Sequence, residues 1–63
     1  MKLRIAEIRK AKGLTQTALS RLCGVAREQI NRYERGKVIP ETASLERIAQ
    51  GLGCEVKDLI ADA

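Results

Sequence analysis

Six side chains between residues 27 and 35 could recognise a polar partner: Arg27, Glu28, Gln29, Asn31, Arg32 and Arg35. Each carries donors or acceptors that reach away from the backbone. Ile30 and Tyr33 interrupt them at a spacing of three. On a helix these two apolar residues share one side and the polar groups cover the rest. Long donors and acceptors on an exposed helix are the groups that read base edges in the major groove of DNA. An arginine fork matches guanine O6 and N7, and a carboxylate accepts from the amino group of cytosine. Glu28 has a second role open to it. It precedes Arg32 by four residues, the favourable order for a helix-surface pair that contributes roughly 0.3–0.5 kcal/mol. It either reads a base or steadies Arg32. Tyr33 could stack on a base, but its core spacing after Ile30 favours packing.

Such a face needs a support. The pattern from Thr15 to Cys23 puts Leu19, Leu22 and Cys23 on one face of a preceding helix. Thr15 suits its N-cap. The helix from about Ala26 to Arg35 follows after a gap too short for a loop, hinged at Gly24, where positive φ carries no penalty for glycine. The two helices must cross steeply, which is the helix-turn-helix unit. A first helix is expected from about Lys2 to Lys12, with Ile5 and Ile8 inward, Leu3 and Ala6 beside them, and Lys10 and Lys12 at the negative end of its dipole. Residues 37–40 read as a loop, since Pro40 bars helix before it. A fourth helix over Thr42–Leu52 buries Leu45, Ile48, Ala49 and Leu52. A short fifth over about Glu55–Ala61 carries Val56, Leu59 and Ile60. The expected architecture is all-α, a compact five-helix bundle without a sheet, with residues 1–63 as one domain.

Composition narrows the partner. With one Tyr and neither Trp nor Phe, aliphatic side chains must make the core. Residues 1–40 hold ten Lys and Arg against three acids, a charge of +7, and residues 41–63 hold two against five, a charge of −3. The basic part coincides with the two crossed helices, so that end of the chain is suited to a polyanion. No apolar run reaches the length of a membrane span, and the basic N-terminus lacks an apolar stretch behind it, so neither a signal peptide nor a membrane partner is expected. Cys23 and Cys54 stand far apart, with no histidine in the chain. They make no metal site and read as buried, inert thiols compatible with a reducing cytoplasm.

The chain resembles the phage repressor and Cro type of helix-turn-helix DNA-binding domain, the XRE-like regulators. The residues that carry the resemblance are Gly13-Leu14-Thr15-Gln16, Leu19-Ser20, Gly24-Val25, Ile30-Asn31-Arg32 and Tyr33-Glu34-Arg35-Gly36, then Pro40, Leu45, Ile48-Ala49, Leu52-Gly53 and Leu59-Ile60. Ser20 stands where the family prefers Ala, and Thr42 and Glu46 where it is often apolar. The resemblance implies a lambda-repressor-like fold, with helices two and three as the helix-turn-helix. It places Gln16, Arg27, Glu28, Gln29 and Arg32 at bases, with Gln16 also bracing the recognition helix. It places Thr15, at the amide-rich start of helix two, and Asn31, Arg35 and Lys37 at phosphates. It joins Arg9 to Glu34, and it locates a dimer contact at Cys54, Glu55, Val56 and Lys57, away from the DNA face.

The function implied is sequence-specific binding of a double-stranded DNA operator. The chain would act as a transcription regulator, a repressor, and as a two-fold dimer that is weak in solution and stronger on DNA. A bacterial or phage setting at the nucleoid fits. The alternative is an antitoxin-type module that binds DNA and a partner protein, although the usual added segment for the toxin is absent. Catalysis is not expected: there is no histidine, nucleophile elbow, phosphate-binding glycine loop or metal cluster. No cofactor and no small-molecule effector pocket are evident. RNA suits a rigid recognition helix less well than the wide DNA major groove.

Overall fold

The computed structural model describes residues 2–61. A two-residue strand, β1 (Lys2–Leu3), leads into α1 (Ile5–Ala11), α2 (Gln16–Cys23), α3 (Arg27–Glu34) and α4 (Thr42–Leu52). A 3-10 turn (Val56–Leu59) and a second short strand, β2 (Ile60–Ala61), complete the order. Among the described residues no helix is long and apolar enough to cross a membrane.

Ile5, Leu19, Ile30, Ile48, Leu52 and Leu59 form the fully buried centre, one or more from every helical element. Cys23, Val25, Tyr33, Leu45 and Ala49 close around them. α2 and α4 pack most extensively, and Gly51 is the reason they can. A Cβ built there would lie 2.9 Å from Cys23 Cβ and 3.3 Å from the Cys23 backbone. Thr42 and Glu46, which depart from the often apolar pattern that the resemblance implies, lie exposed, so the inward face of α4 keeps its aliphatic lining.

Three expectations need correction. Helix one does not begin at Lys2. Residues 2–3 are extended and pair antiparallel with β2, Lys2 opposite Ala61 and Leu3 opposite Ile60. Among the described residues the bundle therefore has four α-helices and a small sheet rather than five helices and none. The expected fifth helix is a single 3-10 turn whose ends Glu55 and Asp58 cap reciprocally, with Glu55 N–H donating to Asp58 Oδ2 at 3.0 Å. The chain then straightens at Ile60 to meet β1. Leu22 is not on the buried face of α2 but is 59% exposed. Helical spacing permits three inward rows there, and α4 and α3 fill only those of Leu19 and Cys23.

Candidate nucleic-acid interface

α2 starts where Thr15 Oγ1 accepts from the Ala18 N–H at 3.0 Å. That bond leaves the Gln16 and Thr17 amides at the positive end of the helix free of a side-chain cap. α2 stops at Gly24, in the left-handed region at φ 73°. Only three residues, Gly24 to Ala26, separate α2 from α3. Val25 plugs the core from within this turn. The Ser20 hydroxyl donates to the Val25 carbonyl at 2.6 Å, tying the turn back to α2. An alanine at position 20 would pack but could not make that bond. The departure from the family's alanine at Ser20 thus supplies a bond that the resemblance did not assign. The available signal was a hydroxyl five residues ahead of a turn carbonyl.

α3 buries Ile30 and Tyr33 and turns its remaining side outward. Arg27, Glu28, Arg32 and Arg35 are exposed, as is Lys37 beyond the helix, while Gln29 and Asn31 are half-buried. Ala26 gives α3 no side-chain cap, so the first amides of this helix also face outward unpaired by side chains. Arg32 Nη1 donates to Gln29 Oε1 at 3.2 Å. Arg32 is thus held from the preceding turn by Gln29, and the Glu28–Arg32 ion pair is not formed. Tyr33 is packed rather than presented for stacking, being 5% exposed. Among the described residues Arg27, Arg32, Arg35 and Lys37 belong to no ion pair, so their charge is open to a polyanion.

Behind this face lies a charged anchor. Arg9 Nε and Nη2 donate to Glu34 Oε2 and Oε1 at 2.8 and 3.1 Å, and Arg9 Nη1 donates to the Leu14 carbonyl at 2.7 Å. The two side chains are 10% and 6% exposed. A planar fork meeting a carboxylate through two bonds fixes orientation as well as distance. α1 is thereby locked to the end of α3 and to the loop before α2. Gln16 joins the same cluster, its Nε2 donating to Glu34 Oε1 at 3.0 Å and to Asn31 Oδ1 at 3.3 Å. Among the described residues every buried side-chain nitrogen and oxygen has a partner.

The residues expected at a dimer contact lie elsewhere. Glu55 and Lys57 are exposed and pair with each other at 3.2 Å. Val56 and Cys54 are half-buried and packed against the core. Burial, followed by the neighbouring Asp58, pushes the Cys54 thiol above its ordinary range, which keeps it protonated and poorly nucleophilic. Among the described residues no group of three or more metal-binding side chains gathers.

A helix-turn-helix family model, HTH_3, matches residues 5–59. An uncharacterized HTH-type transcriptional regulator of Methanothermobacter thermautotrophicus is 42% identical over 55 residues, covering 87% of this chain and 80% of its own. A second, from Archaeoglobus fulgidus, is 37% identical over 59 residues, covering 94% and 84%. Among solved structures, the restriction-modification controller protein C.AhdI of Aeromonas hydrophila superposes with a TM-score of 0.87 at 33% identity. That match covers 90% of this chain and 86% of the controller.

Proposed function

The chain belongs to the helix-turn-helix family of DNA-binding transcription regulators, and from that premise we propose that it binds an inverted-repeat operator as a two-fold dimer and represses transcription from it. α3 is the recognition helix and lies in the major groove. Arg27 reads a guanine, with Arg32 and Glu28 further along the same face and Gln29 steadying Arg32. Gln16 contributes from the start of α2. Asn31, Arg35, Lys37 and the Thr15 end of α2 hold phosphates. The dimer forms through the segment from Cys54 to Lys57, weakly in solution and more firmly when two half-sites bring the copies together.

The observation that carries this reading is the contrast between the two sides of α3. One side is fixed by Ile30, Tyr33 and the Arg9–Glu34 pair, and the other presents polar side chains with four neighbouring cations outside any ion pair. A rigid, outward-facing, cationic helix meets the requirements of groove binding. Selection from a random duplex pool tests it. The expected product is a short inverted repeat with half-site centres one helical turn apart. A pool that enriches for no sequence would overturn the reading.

A further inference from the structure

Ser20 holds both ends of the turn between α2 and α3. Its carbonyl accepts from the Gly24 N–H at 2.9 Å, which closes α2. Its hydroxyl donates to the Val25 carbonyl at 2.6 Å. That carbonyl stands one residue before Ala26, the N-cap of α3. The ladder of α3 begins only with the next carbonyl, where Ala26 accepts from the Ile30 N–H at 3.0 Å. Among the described residues no backbone N–H reaches the Val25 carbonyl, and Ala26 supplies no side-chain cap. The Ser20 hydroxyl is therefore the one hydrogen bond, among those residues, that ties the start of α3 back to α2. The far end of α3 is fixed independently, by buried Tyr33 and by the Arg9–Glu34 pair.

We propose that Ser20 is a positioning residue for sequence recognition: its hydroxyl sets the tilt of α3, and with it discrimination between DNA sites rather than overall affinity for DNA. The proposal rests on the DNA-binding reading above and deepens it. With the tie released, α3 pivots on its fixed far end, and its start, which carries Arg27, moves most. Its eight residues span about 12 Å, so a tilt of about 5° displaces the start by about 1 Å. Hydrogen bonds to base edges tolerate only a few tenths of an ångström, so a shift of that size breaks a two-pronged contact at a base. Contacts to phosphates survive it, because Arg35 and Lys37 are long, exposed side chains that can follow the backbone. The hydroxyl is not required for the core. Ser20 is absent from the buried apolar cluster, and alanine is the better helix former at an interior position, which offsets part of the lost bond. Stability and discrimination should therefore separate.

Two measurements test it. In the free protein, residual dipolar couplings of the α2 and α3 amides report the angle between the helices. Ser20→Ala should change that angle or widen its spread. Couplings identical to those of the unaltered protein would overturn the tie without reference to DNA. On DNA, Ser20→Ala should weaken binding to the selected site by roughly tenfold, the scale of one base contact. It should leave affinity for a scrambled duplex and the salt slope unchanged. Ser20→Thr, which keeps the hydroxyl, should bind both duplexes as the unaltered protein does. Ser20→Cys, similar in size but a much weaker donor, should behave as Ser20→Ala does, and it repeats the test if alanine costs the fold. In an Arg27→Ala background the loss from Ser20→Ala should shrink, since the contact that the tilt breaks is already gone. Equal losses on both duplexes, no loss on the selected site, fully additive losses with Arg27→Ala, or a Ser20→Thr variant as weak as Ser20→Ala would overturn the proposal. If selection enriches for no site, the DNA reading fails by itself, and the couplings still decide whether the hydroxyl sets the angle.

Discussion

Arg27 and Lys37 both end in open cations, yet their expected contacts leave different signatures. Arg27 lies in the first turn of α3, where the proposed reading sets its fork against guanine O6 and N7. Arg27→Ala should cost roughly 1–3 kcal/mol on the selected site and relax preference at one G·C pair per half-site. Lys37 lies in the loop past the end of α3, and Lys37→Ala should weaken selected and scrambled duplexes alike. It should also lower the slope of log affinity against log salt by about one unit for the lost phosphate. Titrations of both variants at several salt concentrations separate the roles. Equal losses of Arg27→Ala on both duplexes would make Arg27 a phosphate clamp. Arg9 and Glu34 make a different case, because desolvation of the pair offsets much of its attraction. Removing one partner strands the other, and Arg9→Met should cost about 3–5 kcal/mol. Arg9→Met combined with Glu34→Met should cost less than the two single changes added together, since no charge is then left buried. Denaturant unfolding of the four proteins supplies the cycle, and strict additivity would show that the pair contributes no coupling.

Between elements, the closest approach is that of α4 to α2 at Gly51. Two effects oppose each other there. Alanine is favoured over glycine inside a helix by about 1 kcal/mol, while a Cβ would collide with Cys23 Cβ and with the Cys23 backbone, which cannot rotate away. Overpacking of this kind costs typically 1–3 kcal/mol, so Gly51→Ala should be destabilising on balance. A raised denaturation midpoint would mean that α2 and α4 separate cheaply. The turn between α2 and α3 is held differently, by Gly24 in its left-handed conformation, by Val25 in the core and by the Ser20 bond to the Val25 carbonyl. These three together fix the angle at which α3 is offered.

For the molecule as a whole, charge and assembly are linked. Residues 1–40, which include α2 and α3, carry a net charge of +7, while the acidic final third carries the proposed contact between copies. Val56 and Cys54 turn largely into their own core, leaving a small polar surface, and a surface of that kind supports only weak association. The free protein should therefore sediment as a monomer at low concentration and self-associate as concentration rises. An inverted-repeat duplex should take up two copies cooperatively. Two recognition helices so joined lie about 34 Å apart, one turn of DNA. Equal affinity for a single half-site and the full repeat, measured per copy bound, would rule out the dimer.

The sequence by itself determined α4 from end to end, the Thr15 cap, the Gly24 hinge and the side of α3 that faces outward. Each of these is a local matter of periodicity or of one residue's backbone preference, legible within about ten neighbours. It also held the Arg9–Glu34 pairing, through resemblance rather than spacing, since residues 25 apart carry no periodic signal. Only the tertiary structure decided the rest. The strands β1 and β2 are two residues each and exist because the chain ends meet, so no alternation could announce them. Leu22 is exposed because no neighbour reaches that flank of α2, although the helical pattern alone would bury it. The Glu34 carboxylate gathers Arg9 and Gln16 across three elements. Such a cluster arises only when distant segments share one buried charge.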